Sequence, residues 1–335
     1  MKNKYLNIII IFLLTVIVLY FSLKDNYYEI ITLVLNVDIK WIILSYLLVL
    51  SYTFLKSIVT NDIINKFVHY DMKKMFSLQL MIFFFNAITP FSTGGQPFQV
   101  YVLSKNKVPI SEGTNSVIQE TIIHQMAFMV VGLLMLIINY IFKICELNHF
   151  LNLFLIAGFL ANALIVFLLF MVSYGKKIDN LLIKFIINIF TKLNIIKNKQ
   201  EKINKWNKYI EDFTVNSKTL LKDKFRFIKL LSLNILALIC LYLVPLTILF
   251  SLGDNSFGTI ESLVIVTFVS IISCYIPSPG GTGGQEYVFT LLFGTYLTNP
   301  LLGSLMILWR FITYYLPMIV GAIVFNFNRR KMVMK

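Results

Sequence analysis

Apolar residues in this chain fall in long unbroken runs separated by short polar breaks, without the alternation of a half-buried strand or the three-four spacing of a surface helix. Six runs reach the roughly 20 residues that a helix needs to cross a bilayer. They are Leu6 to Leu23, Trp41 to Thr60, Val117 to Ile141, Phe150 to Val172, Leu230 to Phe250 and Pro300 to Phe325. Two further runs, Phe76 to Phe91 and Glu261 to Pro277, lead into a Gly/Pro knot and then a second short apolar leg. Gly and Pro interrupt a helix, so both runs are predicted as re-entrant hairpins. The predicted fold class is an all-α polytopic membrane protein with six spanning helices and two re-entrant helical hairpins.

Composition excludes a soluble reading, because 58% of the 335 residues are hydrophobic and 14% are charged, against about 25% charged in an ordinary soluble domain. The first run follows Lys2 and Lys4 and ends at Lys24 and Asp25 without a small-residue cleavage site, so it is predicted as a retained helix rather than a signal peptide. Three cysteines and three scattered histidines have neither disulfide nor metal-ligand spacing. No cofactor or metal is expected.

Charge sets the predicted orientation. The segment 173–229 carries 13 Lys and Arg226 against five acids, a net charge of 14 − 5 = +9, and such a segment stays cytoplasmic. With both hairpins returning to their own side, the N-terminus, this segment and the basic C-terminal tail all fall inside. The expected location is a bacterial plasma membrane, with anionic lipid attracted to the inner face and no nucleic-acid partner. Within the insert, Ile178, Leu181, Leu182, Phe185, Ile186 and Ile189 recur near helical spacing. That spacing fits an amphipathic helix on the bilayer surface, and a solvated linker is the alternative.

The two knots resemble each other. Ser92-Thr93-Gly94-Gly95-Gln96 follows Pro90, and Gly281-Thr282-Gly283-Gly284-Gln285 follows Pro277 and Pro279. Each knot is preceded by two predicted spans and followed by one, and the two hairpins are predicted to enter from opposite faces. The chain thus reads as one membrane domain over 1–335, with a first repeat at 1–141 and an inverted second repeat at 150–326. Broken helices leave backbone groups that lipid cannot satisfy. The leg after each glycine pair starts a helix whose amides form a positive pole suited to phosphate. The candidate headgroup site therefore gathers Gly94, Gly95, Gln96, Gly283, Gly284 and Gln285, and tight turns without a ligand role are the alternative.

Ionisable residues inside apolar runs add to this site, since such residues face cavities or partners. Arg310 lies ten residues into the last run, and Glu286 follows Gln285 as its plausible ion partner. Phosphate contact and a structural ion pair with Glu286 both remain open for Arg310. Glu120 lies 24 residues after Gln96, as Arg310 lies 25 after Gln285, and His124 is one helical turn beyond Glu120. Proton coupling and simple hydration near the inner interface are the two readings for Glu120 and His124. Lys56, four residues from the predicted end of its helix, is expected to snorkel.

The run Tyr275-Ile276-Pro277-Ser278-Pro279-Gly280-Gly281-Thr282-Gly283-Gly284-Gln285-Glu286, with Thr89-Pro90, Gly94-Gly95 and Gln119-Glu120, resembles the lysylphosphatidylglycerol synthase transmembrane family. This flippase-like domain forms the N-terminal half of multiple peptide resistance factor. The resemblance covers nearly the whole chain, although Pro97 stands where the second repeat has Glu286. It implies movement of phospholipids or polyprenyl-phosphate-type lipids between leaflets, and a link to antibiotic resistance. The chain ends ten residues after the last predicted span, so the lysine-transferring domain of two-part members is expected to be absent and the protein is not expected to be an enzyme. A lipid-headgroup transferase, a membrane component of lysylphosphatidylglycerol synthesis, and a scaffold for a separate soluble synthase are the competing functions.

Overall fold

The structure, a computed structural model, describes residues 27–89, 92–174, 223–274 and 283–333. The first predicted span, the amphipathic stretch within 178–189, Pro90 and the knot residues 275–282 lie outside the described residues. Among the described residues all regular structure is helical. Five helical segments are long and apolar enough to cross a membrane, and they coincide with the second to sixth predicted spans.

The chain opens with a nine-residue helix, α1 (Tyr27–Leu35), within a stretch the sequence reads as a loop. Asp38 caps the next helix, α2 (Ile39–Asn65), by accepting from the Lys40 amide. The first hairpin pairs α3 (Met72–Ala87), capped by Asp71, with α4 (Gly95–Lys105). Two long spans follow, α5 (Ile110–Phe142) and α6 (His149–Tyr174). After the basic segment, α7 (Lys224–Tyr242) and α8 (Val244–Ser251) form one broken span around Pro245. The second hairpin pairs α9 (Thr259–Ser273) with α10 (Gly284–Phe293). The last span consists of α11 (Asn299–Arg310), one π-helical turn (Phe311–Tyr315) and α12 (Leu316–Val333).

The first leg of each hairpin is short. At 1.5 Å per residue, the 16 residues of α3 and the 15 of α9 reach about 23 Å, against about 30 Å of hydrocarbon. Contacts at the helix ends show at which end of the bundle each hairpin starts. Arg226 at the start of α7 pairs with Asp62 near the end of α2, and Asn328 near the end of α12 donates to Ser77 near the start of α3 at 2.7 Å. At the opposite end, the Asp38 amide donates to the Ser251 carbonyl at 2.9 Å, and the Tyr296 hydroxyl donates to the Ile144 carbonyl. Hairpin α3–α4 therefore starts at one end of the bundle and hairpin α9–α10 at the other.

Each hairpin also packs on the span that follows the other hairpin: α3 lies on α12, and α9 lies on α5. A glycine sits at each crossing. Gly321 is 36 residues after Gln285 and Gly132 is 36 after Gln96. A Cβ at Gly321 would meet the Leu80 carbonyl oxygen at 2.5 Å, whereas one at Gly132 would meet the flexible Cδ1 of Ile271 at 3.2 Å. Gly321→Ala is expected to cost about 1–3 kcal/mol through overpacking against backbone. Gly132→Ala should be close to neutral because the Ile271 side chain can turn away. Thermal unfolding of the two variants in detergent checks this ranking.

The main apolar core gathers around α8, α9, α10 and α11 and includes Phe268, Phe289 and Phe293. A smaller cluster joins Met75, Leu78 and Met81 of α3 to Phe98, Val102 and Leu103 of α4. Stacking of Phe85 on Phe98 at 3.6 Å closes the hairpin near its tip.

Candidate functional site

Both hairpin tips meet the last span at its π turn. Pro317 has no N–H to offer the Thr313 carbonyl, so regular i to i−4 bonding cannot continue through this stretch. The π turn from Phe311 to Tyr315 absorbs the mismatch, as π-bulges do at many functional sites. The turn is flanked by Arg310 and contains Tyr314. Arg310 Nη2 lies 2.6 Å from Glu286 Oε2, and the two side chains are each only 7% exposed. The same carboxylate oxygen accepts from the Gly283 amide at 2.7 Å. Tyr314, whose ring lies 5.4 Å from the Arg310 guanidinium carbon, donates its hydroxyl to the Ala87 carbonyl at 3.3 Å. One turn of one span thus holds the start of α10 through Arg310 and the end of α3 through Tyr314.

The local sequence explains the geometry. Gly283 has φ +90°, a conformation that favours glycine, and this turns the chain into α10. Glu286, three residues on, reaches back to the Gly283 amide in the manner of a capping box. On α10, Phe289 stacks on Trp309 at 4.3 Å, which sets the rotation of α11 and aims Arg310 at Glu286. Gly284 and Gln285 lie in the first turn of α10, beside this pair in sequence and partly exposed.

At the first knot the helix-start amides are already engaged. The Gly94 amide donates to Thr89 Oγ1 at 2.9 Å and the Gly95 amide to Asn86 Oδ1 at 2.8 Å. Asn86 lies in the last turn of α3 and Thr89 two residues beyond it, and Ser92 takes the left-handed turn with φ +52°. Gln96 is exposed. The expectation that these amides form open phosphate poles is therefore corrected at Gly94, Gly95 and Gly283, whose donors are satisfied within the protein.

A second ion pair lies deep in the bundle. Lys56 Nζ bonds Glu120 Oε1, with side chains 12% and 8% exposed. The snorkelling expectation for Lys56 is overturned because α2 continues to Asn65, which leaves Lys56 nine residues, about 14 Å, from the helix end. Glu120 is likewise buried. His124 sits one turn along α5, with Nδ1 3.4 Å from Asn234 Oδ1 of α7. Tyr52 of α2 lies within electrostatic reach of both Lys56 and Glu120. The sequence reading missed Lys56, Asn234 and Tyr314 as site residues. Pro317, seven residues after Arg310, was the available signal for Tyr314.

Among the described residues no group of three or more His, Cys, Asp or Glu is placed to hold a metal.

Known proteins resemble this chain over most of its length. A UPF0104 membrane protein of Archaeoglobus fulgidus is 25% identical over 320 residues, covering 86% of this chain and 87% of that relative. Residues 7–321 match the family model described as the lysylphosphatidylglycerol synthase TM region. With the match running from the first apolar run to Gly321, the chain belongs to the lysylphosphatidylglycerol synthase transmembrane family.

Proposed function

We propose that the protein is a lipid translocase, moving a phospholipid or polyprenyl-phosphate-type lipid between leaflets, and that it carries out no bond-making chemistry itself. The observation that carries the reading is the meeting of both hairpin tips on one π turn, through Arg310 with Glu286 and Gly283 and through Tyr314 with Ala87. A headgroup phosphate competes with the Glu286 carboxylate for Arg310, whose planar guanidinium suits either anion. The tails remain in the bilayer throughout.

Support for alternating access comes from the reciprocal packing of α3 on α12 and α9 on α5, with glycines at matching repeat positions. An inverted repeat of this kind gives two exchangeable arrangements around a central site. In this reading both hairpins are re-entrant, both termini are cytoplasmic in a plasma membrane, and the +9 segment draws anionic lipid to the inner face.

The test is reconstitution of the purified chain in vesicles carrying fluorescent phosphatidylglycerol, phosphatidylethanolamine or a polyprenyl phosphate, with a membrane-impermeant quencher reading the outer leaflet. At least one of these lipids should exchange faster than in protein-free vesicles, and Tyr314→Phe should slow that exchange by releasing the first hairpin tip. Folded protein that moves none of them contradicts the reading.

A further inference from the structure

A polar cavity lies around the Arg226–Asp62 pair, where the end of α2, the start of α3 and the start of α7 converge. It measures about 510 Å³ and is lined by Asn61, Asp62, Lys66, Asp223 and Arg226, with Ile58 on its apolar side. This is the end of the bundle next to the basic segment, at the depth of a lipid headgroup layer, since Lys66 caps the end of α2 and Asp223 caps the start of α7.

The cavity carries both signs of charge in balance, Lys66 and Arg226 against Asp62 and Asp223. Arg226 is held rigidly, donating from Nε to Asp62 Oδ1 at 2.6 Å and from Nη2 to the Asp62 carbonyl at 2.7 Å. Its remaining Nη faces no partner among the described residues and can donate to a phosphate oxygen. Burial, and then the Arg226 guanidinium nearby, push the Lys66 ammonium below its ordinary pKa, and Asp223 and Asp62 offset this only in part. An anion placed between two such cations relieves their repulsion.

The acceptors have capacity left over. Among the described residues, Asp62 Oδ2 has Lys229 Nζ at 3.9 Å as its ion-pair partner, and the buried Asn61 Oδ1 has no hydrogen-bond partner. A ligand that satisfies these atoms must donate hydrogen bonds. A primary ammonium offers three N–H donors, whereas a quaternary ammonium offers none and a glycerol headgroup carries no positive charge.

We propose that this cavity binds the headgroup of a zwitterionic phospholipid bearing a primary ammonium, with phosphate at Arg226 and Lys66 and ammonium at Asp62, Asp223 and Asn61. The site stands independently of lipid translocation.

The experiment titrates the full-length purified protein in detergent with dihexanoyl phosphatidylethanolamine, phosphatidylcholine and phosphatidylglycerol, and with soluble phosphoethanolamine, by calorimetry. The ethanolamine lipid is expected to bind about tenfold or more tightly than the other two lipids, each tenfold corresponding to about 1.4 kcal/mol. Asn61→Leu and Arg226→Gln should each remove most of that preference. Asn61→Leu breaks no ion pair and so reads the site even if Arg226→Gln fails to fold. Equal binding of the three lipids overturns the proposal, as does a preference untouched in folded Asn61→Leu. Phosphoethanolamine binding as tightly as the lipid assigns the cavity to a soluble ligand and overturns it too.

Discussion

Replacing Arg310 by leucine is expected to lower the unfolding free energy of the detergent-solubilised protein by about 3–5 kcal/mol, the cost of leaving one member of a buried ion pair unpaired. Glu286 would keep only the Gly283 amide as partner for a carboxylate that is 7% exposed. Glu286→Leu should also destabilise, because it removes the carboxylate that balances the buried guanidinium. The double variant Arg310→Leu/Glu286→Leu should recover most of the loss, since an apolar pair of similar size often replaces a buried ion pair at little cost. It still forfeits the cap at Gly283, about 1 kcal/mol. A double-variant cycle measures the coupling. Strictly additive single losses would mean that the 2.6 Å contact contributes nothing as a pair.

Lys56→Met is expected to cost about 3 kcal/mol, at the low end of the same range because Lys56 keeps 12% of its side chain exposed. Lys56 and Glu120 join α2 to α5, while His124 and Asn234 join α5 to α7. Loss of the Lys56 charge therefore loosens the α2–α5 interface. Lys56→Met/Glu120→Gln should restore most of the stability, and Lys56→Arg should be tolerated. Chemical unfolding followed by circular dichroism reads all three. A folded Lys56→Met with unchanged stability would show that water or a counter-ion reaches Glu120.

Much of this architecture was legible in the sequence, and for an identifiable reason. Lipid forces spans to be long and continuously apolar, so the runs at Trp41, Val117, Phe150, Leu230 and Pro300 marked their helices. The ends were less legible, because polar residues such as Asn61, Asp62 and Asn65 continue α2 beyond its apolar run. That shift of five residues turned Lys56 from an interfacial residue into a buried one. The pairing of Arg310 with Glu286 was readable because few charges occur at that depth. The Lys56–Glu120 pair was not, since helical periodicity does not give the rotation of one span against another 64 residues away. Nor does a sequence show that Thr89 and Asn86 fold back to take the Gly94 and Gly95 amides. The helix-start rule identified the donors correctly, and side chains in and just beyond the preceding helix filled them.

Arg310 and Glu286 carry the central claim, and a role in lipid movement must be separated from a role in holding the fold. Arg310→Leu/Glu286→Leu makes that separation, because it is expected to fold with near-native stability while lacking any charge at the meeting point of the two hairpins. The decisive measurement is the rate of leaflet exchange of the transported lipid in vesicles bearing this variant, beside vesicles with equal amounts of the parent protein. The account predicts folded, inserted protein with exchange reduced to the protein-free rate. Exchange at the parent rate would contradict it and leave the ion pair a structural one.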